Sequence, residues 1–526
     1  MGNACCTRAG GESPVAYPAT GDLPSGVLHK DGVTYGHHSG GAKGGATGDS
    51  AASLTDDYIK AIAASPPVPR PSVFSKTLST RGDVGLDILL QAPKTAGPSR
   101  EAVFETVTKK IKGSGYALLM KLEVETEEPL AKLGALQYVR AGLNIGFWEI
   151  PSLRVIKMDD ERVFALCHDA SHAVQAAIVA MRFCEAFEAR HPEALPLSLS
   201  VGVSHGDLMV LRNDFYGDPV NVASKLGEDN GEPGDIAIAQ SVTEKLQDTS
   251  HGRQLLSNLD LDPKNVLISG VEIPYALVKL REGVDPTAIL PSFAIPSDTD
   301  VYNWVSKQTK AGALSPAALS CLESLSLDWP AKSNAHKTSE QLTEELMLEC
   351  TMMQSDMSGF TRLTRKYGIL HFLTLIINCR RIYDEVIPEF GGQVVKYDGD
   401  NVITFFSEPA DASNAAAALL QRVNEYNMGL HKDFQIRLKF GMATGDVLIV
   451  DHDIAGPAWD ECCVLGEDLA EIGEVLVSPA VRRHKSMISF RARFEDRAAP
   501  KKRSKSDGMA YQEEMMQYFN MMPGSS

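Results

Sequence analysis

No run of 18 consecutive apolar residues occurs in the 526-residue chain, which argues against a membrane-spanning helix. Basic residues are in deficit. The 51 Lys and Arg stand against 68 Asp and Glu, a net charge of −17. That balance argues against the basic face that recognition of a phosphate backbone requires, so no nucleic-acid partner is expected. The nine cysteines show neither zinc spacing nor an even pairing framework, which suits a reducing compartment. No calcium loop, cyclic-nucleotide module or transmembrane receptor is readable. No apolar secretory segment opens the sequence, which favours the cytosolic side. What is present is ordinary for globular protein: 44% hydrophobic and 23% charged residues, in a chain too long for one core.

The first residues, Met1-Gly2-Asn3-Ala4-Cys5-Cys6-Thr7, resemble an N-myristoylation signal at Gly2 with S-palmitoylation sites at Cys5 and Cys6. The usual pattern asks for Ser or Thr at position 6; Cys6 stands there, with Thr7 next. One acyl chain binds a membrane marginally and two bind it stably, so the cysteines matter as much as the glycine. The expectation is a lipid-anchored peripheral protein at the cytoplasmic face of a membrane, plasma or ciliary/flagellar. The alternative is an unmodified terminus.

Residues 1–100 are rich in Gly, Ser, Pro and Ala and read as a flexible, disordered tail with short helices at 54–63 and 84–91. Residues 101–282 read as an α+β domain. It contains a strand from Tyr116 to Val124, a hairpin at 154–166, a helix at 170–190 and a strand from Leu197 to Val203. Residues 283–340 read as a connector with some helix, and 341–500 repeat the first pattern. Residues 501–526, with Lys501, Lys502, Arg503 and Lys505, read as a basic, flexible tail that is a solvated run or favours anionic lipid.

The repeat is domain-sized. Lys157 and Lys396 lie in matching hairpins, Gly202-Val203-Ser204-His205-Gly206 answers Gly441-Met442-Ala443-Thr444-Gly445, and Leu226-Gly227-Glu228-Asp229 answers Leu465-Gly466-Glu467-Asp468. Each pair is 239 residues apart. Two copies of one fold are expected to pair, within the chain or across a homodimer.

In the second copy a strand ends in Asp356, followed by the turn Met357-Ser358-Gly359 and a helix from Phe360. A hairpin with Asp398-Gly399 at its tip carries Asp400. Free N–H groups at such a turn suit phosphate oxygens. Asp356 and Asp400, with no His or Cys nearby, describe a hard-cation site for Mg²⁺ or Mn²⁺. Taken alone, Asp356 is as readily a helix cap, and Asp398 and Asp400 turn residues.

Together these motifs resemble the class III nucleotidyl cyclases, the adenylyl and guanylyl cyclase family. Asp356-Met357-Ser358-Gly359-Phe360-Thr361 resembles the family's first metal motif and Lys396-Tyr397-Asp398-Gly399-Asp400 its second. The run from Tyr216 to Leu226 (Tyr-Gly-Asp-Pro-Val-Asn-Val-Ala-Ser-Lys-Leu) is similar to its catalytic helix. The resemblance implies two ferredoxin-like cyclase homology domains in a head-to-tail pseudo-dimer, with the active site between them. One domain supplies metal aspartates; the other supplies base-reading and transition-state residues.

On that resemblance two ions take part, one held by Asp356 and Asp400 and the other clamping the triphosphate, and Ser358, Gly359, Phe360, Thr361 and Lys439 hold the phosphates. Asn221 orients the ribose, and Lys225 neutralises the α-phosphate. Lys157 and Asp214 read the base, a cation and a carboxylate that suit adenine. The same offset places Ala117 and Glu161 opposite Asp356 and Asp400, and Asp460 and Val464 opposite Asn221 and Lys225, so one composite site survives and its mate is degenerate. Lys225 stands where the family has Arg, and Ser269 where a phosphate-binding Lys is expected. The implied activity is conversion of ATP to 3′,5′-cyclic AMP and pyrophosphate. The alternatives are a guanylate cyclase or a catalytically silent nucleotide-binding scaffold.

Overall fold

The computed structural model describes most residues between 97 and 522, together with Leu89, Ala92 and Lys94. Residues 1–88, most of 285–293, 330–336, 498–517 and a few shorter stretches lie outside the described set. Gly2, Cys5, Cys6, Ser269 and the helix expected at 54–63 fall among these, as does most of that expected at 84–91.

The described residues form a mixed α+β structure built on two eight-stranded sheets. The first contains β1 (Lys112–Val124), β2 (Leu153–Asp159), β3 (Arg162–Cys167), β4 (Leu197–Leu211), β5 (Asp214–Tyr216), β6 (Ile236–Ala239), β7 (Leu259–Ile268) and β8 (Val271–Leu280). The second contains β9 (Met347–Met357), β10 (Gln393–Asp398), β11 (Asn401–Phe406), β12 (Leu438–Val450), β13 (Asp453–Ala455), β14 (Val475–Val477), β15 (Arg493–Arg497) and β16 (Tyr518–Met522). The first runs β2-β3-β1-β4-β6-β8-β7 with β5 on β4. The second runs β10-β11-β9-β12-β14-β16-β15 with β13 on β12.

The hairpins match in detail. Register slips between Val155 and Lys157 in one and between Val394 and Lys396 in the other. A bulge re-aims the side chain that follows it, and in both copies that residue is the lysine. In the second hairpin Asp398 pairs with Asn401, so the two-residue loop is Gly399-Asp400, one position later than the Asp-Gly pair implied. Gly399 supplies the loop's positive φ of 57°.

The leading strands are not related by 239 residues. Leu118 stands opposite Val203 and Met353 opposite Met442, so β9 follows β1 at an offset of 235. The second copy holds four more residues between its leading strand and its hairpin. The strand position matching Asp356 is therefore Lys121, opposite Ser200 as Asp356 is opposite Lys439, and not Ala117.

Helices labelled here are α1 (Pro98–Ile111), α2 (Pro129–Phe147), α3 (Ala170–Arg190), α4 (Asp218–Ser224), α5 (Pro316–Glu323), α6 (Phe360–Tyr367) and α7 (Ile369–Glu389). The two cores interleave. Leu448, Val450 and Ala455 of the second sheet join the core under the first, together with Ala318, Cys321 and Leu322 of α5. Val107 of α1 and Met209 of β4 join the core under the second. Helix α1 thus precedes the first sheet in the chain but packs on the second, where Arg100 Nη2 lies 3.1 Å from His371 Nδ1.

The glycines that mark the repeat have a packing reason. A Cβ on Gly202 would lie 2.0 Å from the Ala223 carbonyl oxygen, and one on Gly441 would lie 2.3 Å from the Gly466 nitrogen. In each copy the central strand needs glycine so that the following helix can rest directly on its backbone. In the first copy that helix carries Asn221. Gly202→Ala should push α4 off β4 and cost about 1–3 kcal/mol, read from the urea midpoint at unchanged slope. An unchanged midpoint would contradict the contact.

Candidate active site

The bulged hairpin β2–β3 carries Lys157 to the seam between the sheets, and the matching hairpin β10–β11 carries Asp398 to meet it. Lys157 Nζ lies 2.6 Å from Asp398 Oδ1, and Arg162 Nη2 donates to Asp398 Oδ2. The Lys157 and Asp398 side chains are 15% and 16% exposed. Burial pushes the Asp398 carboxyl up, but Lys157, Arg162 and Lys396 outweigh it and hold the group well below the usual carboxylate range. Arg162 also lies 3.9 Å from Glu228, in the turn that continues α4.

Asp356 sits near the end of β9, beside Lys439 of β12. Lys439 Nζ is 2.9 Å from Asp356 Oδ2 and 2.5 Å from the Glu467 carbonyl oxygen. Asp400 is the second residue of the hairpin loop. Burial first, then the charges of Asp356 and Asp398, push its carboxyl up to about 7. Arg380 of α7 donates to the Gly399 carbonyl at 2.8 Å and holds the loop in place. Glu467, whose carboxyl is raised by burial, also feels the charges of Asp356 and Arg162.

Two neighbouring carboxylates, one destabilised as an anion, form a hard-oxygen set whose charge a divalent cation would relieve. The residues fit Mg²⁺ or Mn²⁺. No group of three or more His, Cys, Asp or Glu is gathered as a metal site among the described residues.

The expected phosphate turn is partly committed elsewhere. The Ser358 N–H donates to the Arg437 carbonyl at 2.9 Å, so a cradle of free amides can begin only at Gly359. Gly359 takes φ 110° and caps α6, which opens with Phe360 and Thr361. Buried Asp433 anchors that helix, accepting from Arg362 at 2.5 Å, Lys366 at 2.7 Å and Tyr367 at 3.0 Å.

Asn221 of α4 lines a cavity of about 380 Å³ that draws on both copies. From the first copy come Tyr216 and Gly217; from the second come Thr364, Tyr367 and Gly368. Helix α1 closes one side with Phe104 and Thr108. Lys225 follows α4 and pairs with Asp229, one turn along the same helix, at the surface. Asp214 opens β5, opposite Leu211 of β4.

In the pseudo-symmetric half the matching residues are paired with protein side chains. Lys121, matching Asp356, pairs with Glu123 at 2.7 Å; Glu161, matching Asp400, pairs with Lys132 at 2.7 Å. Asp453, matching Asp214, accepts from Arg140 and, at 3.3 Å, from Gln137, both on α2. Arg140 and Asp453 are almost wholly buried. The neighbouring Asp451 accepts from the Ser315 N–H at 3.0 Å, which ties the start of α5 to this half.

Sequence reasoning missed Asp398, Arg162 and Arg140. Asp398 was visible inside the second metal motif but read as a turn residue. Arg162 and Arg140 carry no motif signal, because their partners come from the other copy.

Residues 162–267 match the family model for the adenylate and guanylate cyclase catalytic domain. Over 133 residues the chain is 26% identical to the putative adenylate cyclase 3 of Rhizobium meliloti (strain 1021). The aligned part is 25% of this chain and 22% of that relative. Solved structures similar to it include a class III adenylyl cyclase-like ATP-binding protein from Pseudomonas aeruginosa. That likeness has a TM-score of 0.44 and 13% identity over 76% of this chain and 92% of the other. An adenylate/guanylate cyclase/hydrolase from Silicibacter pomeroyi gives a TM-score of 0.28 and 23% identity, over 34% of this chain and 99% of the other. Across residues 162–267, then, the chain is similar to the adenylate and guanylate cyclase catalytic domain.

Proposed function

We propose that the chain is an adenylate cyclase whose two copies, 101–282 and 341–500, pair head to tail around one composite site. The observation that carries this reading is the seam. The hairpin bearing Asp400 is bonded through Asp398 to Lys157 and Arg162 of the other copy. The helix bearing Asn221 shares a cavity with α6, which follows Asp356 in the chain.

Asp356 and Asp400 would hold Mg²⁺ or Mn²⁺, which when bound lowers the pKa of the ribose 3′-OH and neutralises the triphosphate. The chain's own groups do the rest. Lys439, already beside Asp356, and the amides from Gly359 hold the β- and γ-phosphates. Asn221 orients the ribose so that its 3′-oxygen faces the α-phosphorus. The new P–O bond forms there as the 3′-OH proton passes to solvent water and the bond from the α-phosphorus to the β-phosphate oxygen breaks, and pyrophosphate leaves. Lys225 offsets charge on the α-phosphate once it exchanges Asp229 for substrate. Lys157 reads adenine together with a neighbouring carboxylate, with guanine as the competing substrate.

The enzyme should be slow. An ammonium at position 225 lacks the planar fork of a guanidinium, and losing one such donor costs about 10²-fold or more. One observation favours the silent-scaffold alternative. Lys157, Lys225, Lys439 and the Ser358 amide all have protein partners here. Purified protein with Mn²⁺ should form cyclic AMP from ATP faster than cyclic GMP from GTP. Asp400→Asn should lower that rate at least 100-fold without altering the circular dichroism. Nucleotide binding with no cyclic product from wild-type protein would leave the scaffold; full activity in Asp400→Asn would remove the metal role.

The acylation reading belongs to the same proposal, with dual acylation at Gly2 and at Cys5 or Cys6 holding the catalytic part at a membrane's cytoplasmic face. Its support is the residue pattern of the first seven positions. Gly2→Ala should move the protein from the pelleted membrane fraction to the supernatant. Retention in the pellet would contradict it.

A further inference from the structure

The carboxylate set against Lys157 comes from the opposite copy. Asp398 Oδ1 accepts from Lys157 Nζ at 2.6 Å, the pair is largely buried, and Arg162 secures the second oxygen. The bulge before Lys157 aims its side chain, and Arg380 fixes the loop that follows Asp398. A largely buried cation and a largely buried anion are thus presented side by side by two different sheets, at the position proposed to read the base.

An adjacent donor and acceptor is the complement of a purine's Watson–Crick edge. Adenine offers N1 as acceptor beside N6–H as donor. Guanine reverses the order, with N1–H as donor beside O6 as acceptor. We propose that Asp398 is a specificity-determining residue: with Lys157 it reads positions 1 and 6 of the purine, so base selection needs both copies closed together. The inference rests on the nucleotide-binding reading above and deepens it, because a reader on one copy alone would not depend on closure.

The charge swap tests it. Lys157→Asp with Asp398→Lys rebuilds an ion pair across the same seam but reverses the order of donor and acceptor. The full-length variant and wild type are titrated with ATP and with GTP in Mn²⁺, competing against a fluorescent ATP analogue, and melted without nucleotide. The expected result is a melting temperature lowered by the loss of Arg162's bond to position 398, and an ATP-to-GTP affinity ratio shifted at least tenfold toward GTP. An unchanged ratio in a folded swap variant would reduce the pair to an interface staple and overturn the inference. If the swap variant does not fold, Asp398→Asn serves. Its amide offers both an acceptor and a donor, so the ratio should narrow at least fivefold, and an unchanged ratio overturns the inference. Wild-type protein that binds neither nucleotide would overturn both readings. Wild-type protein that makes no cyclic product, with a swap that still inverts binding, would end the cyclase reading and leave this one.

Discussion

One carboxylate, Asp398, is buried between a lysine and an arginine that belong to the other sheet. Taking three charges out of water is costly, and only close geometry with saturated hydrogen bonding offsets it. Asp398 meets that condition only while the two copies stay pressed together. The pairing of the sheets and the charge state of the hairpin are therefore one problem. Separating the copies would leave Lys157 and Arg162 without that partner and strip Asp398 of two of the three cations that hold its charge. The interleaved cores act in the same direction, since Met209 and Val107 lie in one core while Leu448, Val450 and Ala455 lie in the other.

Around that seam the halves have diverged in opposite ways. Where the second copy has Asp356 and Asp400, the first has Lys121 and Glu161, each with a protein partner of opposite charge. A resident ammonium at the matching strand position leaves little reason for a divalent cation to bind. Where the first copy has Asp214, the second has Asp453, sealed under Arg140 and Gln137. That side is tied into the structure: α2 reaches across to it, and α5 is tied to it through Ser315 and Asp451. The retained side keeps an anion that burial and its neighbours hold at high energy, Asp400, and a cavity that carries Asn221.

Much of this was legible in the sequence. Hairpins, alternating strands and the 239-residue spacing are local signals that survive without knowledge of the fold, and the α+β class followed from them. The relation between leading strands was not legible, because the four extra residues fall in the stretch between strand and hairpin, where no motif marks them. The partners of Lys157 and Arg140 were hidden for another reason: they come from the copy more than 200 residues away, and no periodicity encodes a contact across a seam. The loss of the Ser358 amide to Arg437 was equally unreadable, since it depends on where the chain before β12 passes. Asp398 is the instructive case. An aspartate beside a turn glycine has a sufficient local explanation, which conceals its second, long-range role.

If each copy has kept what the other discarded, the chain has one nucleotide site. Calorimetric titration of the full-length protein with a non-cyclisable ATP analogue and Mn²⁺ tests this most directly. The account predicts one nucleotide bound per chain. Two per chain, or none with ATP and GTP analogues alike, would contradict it.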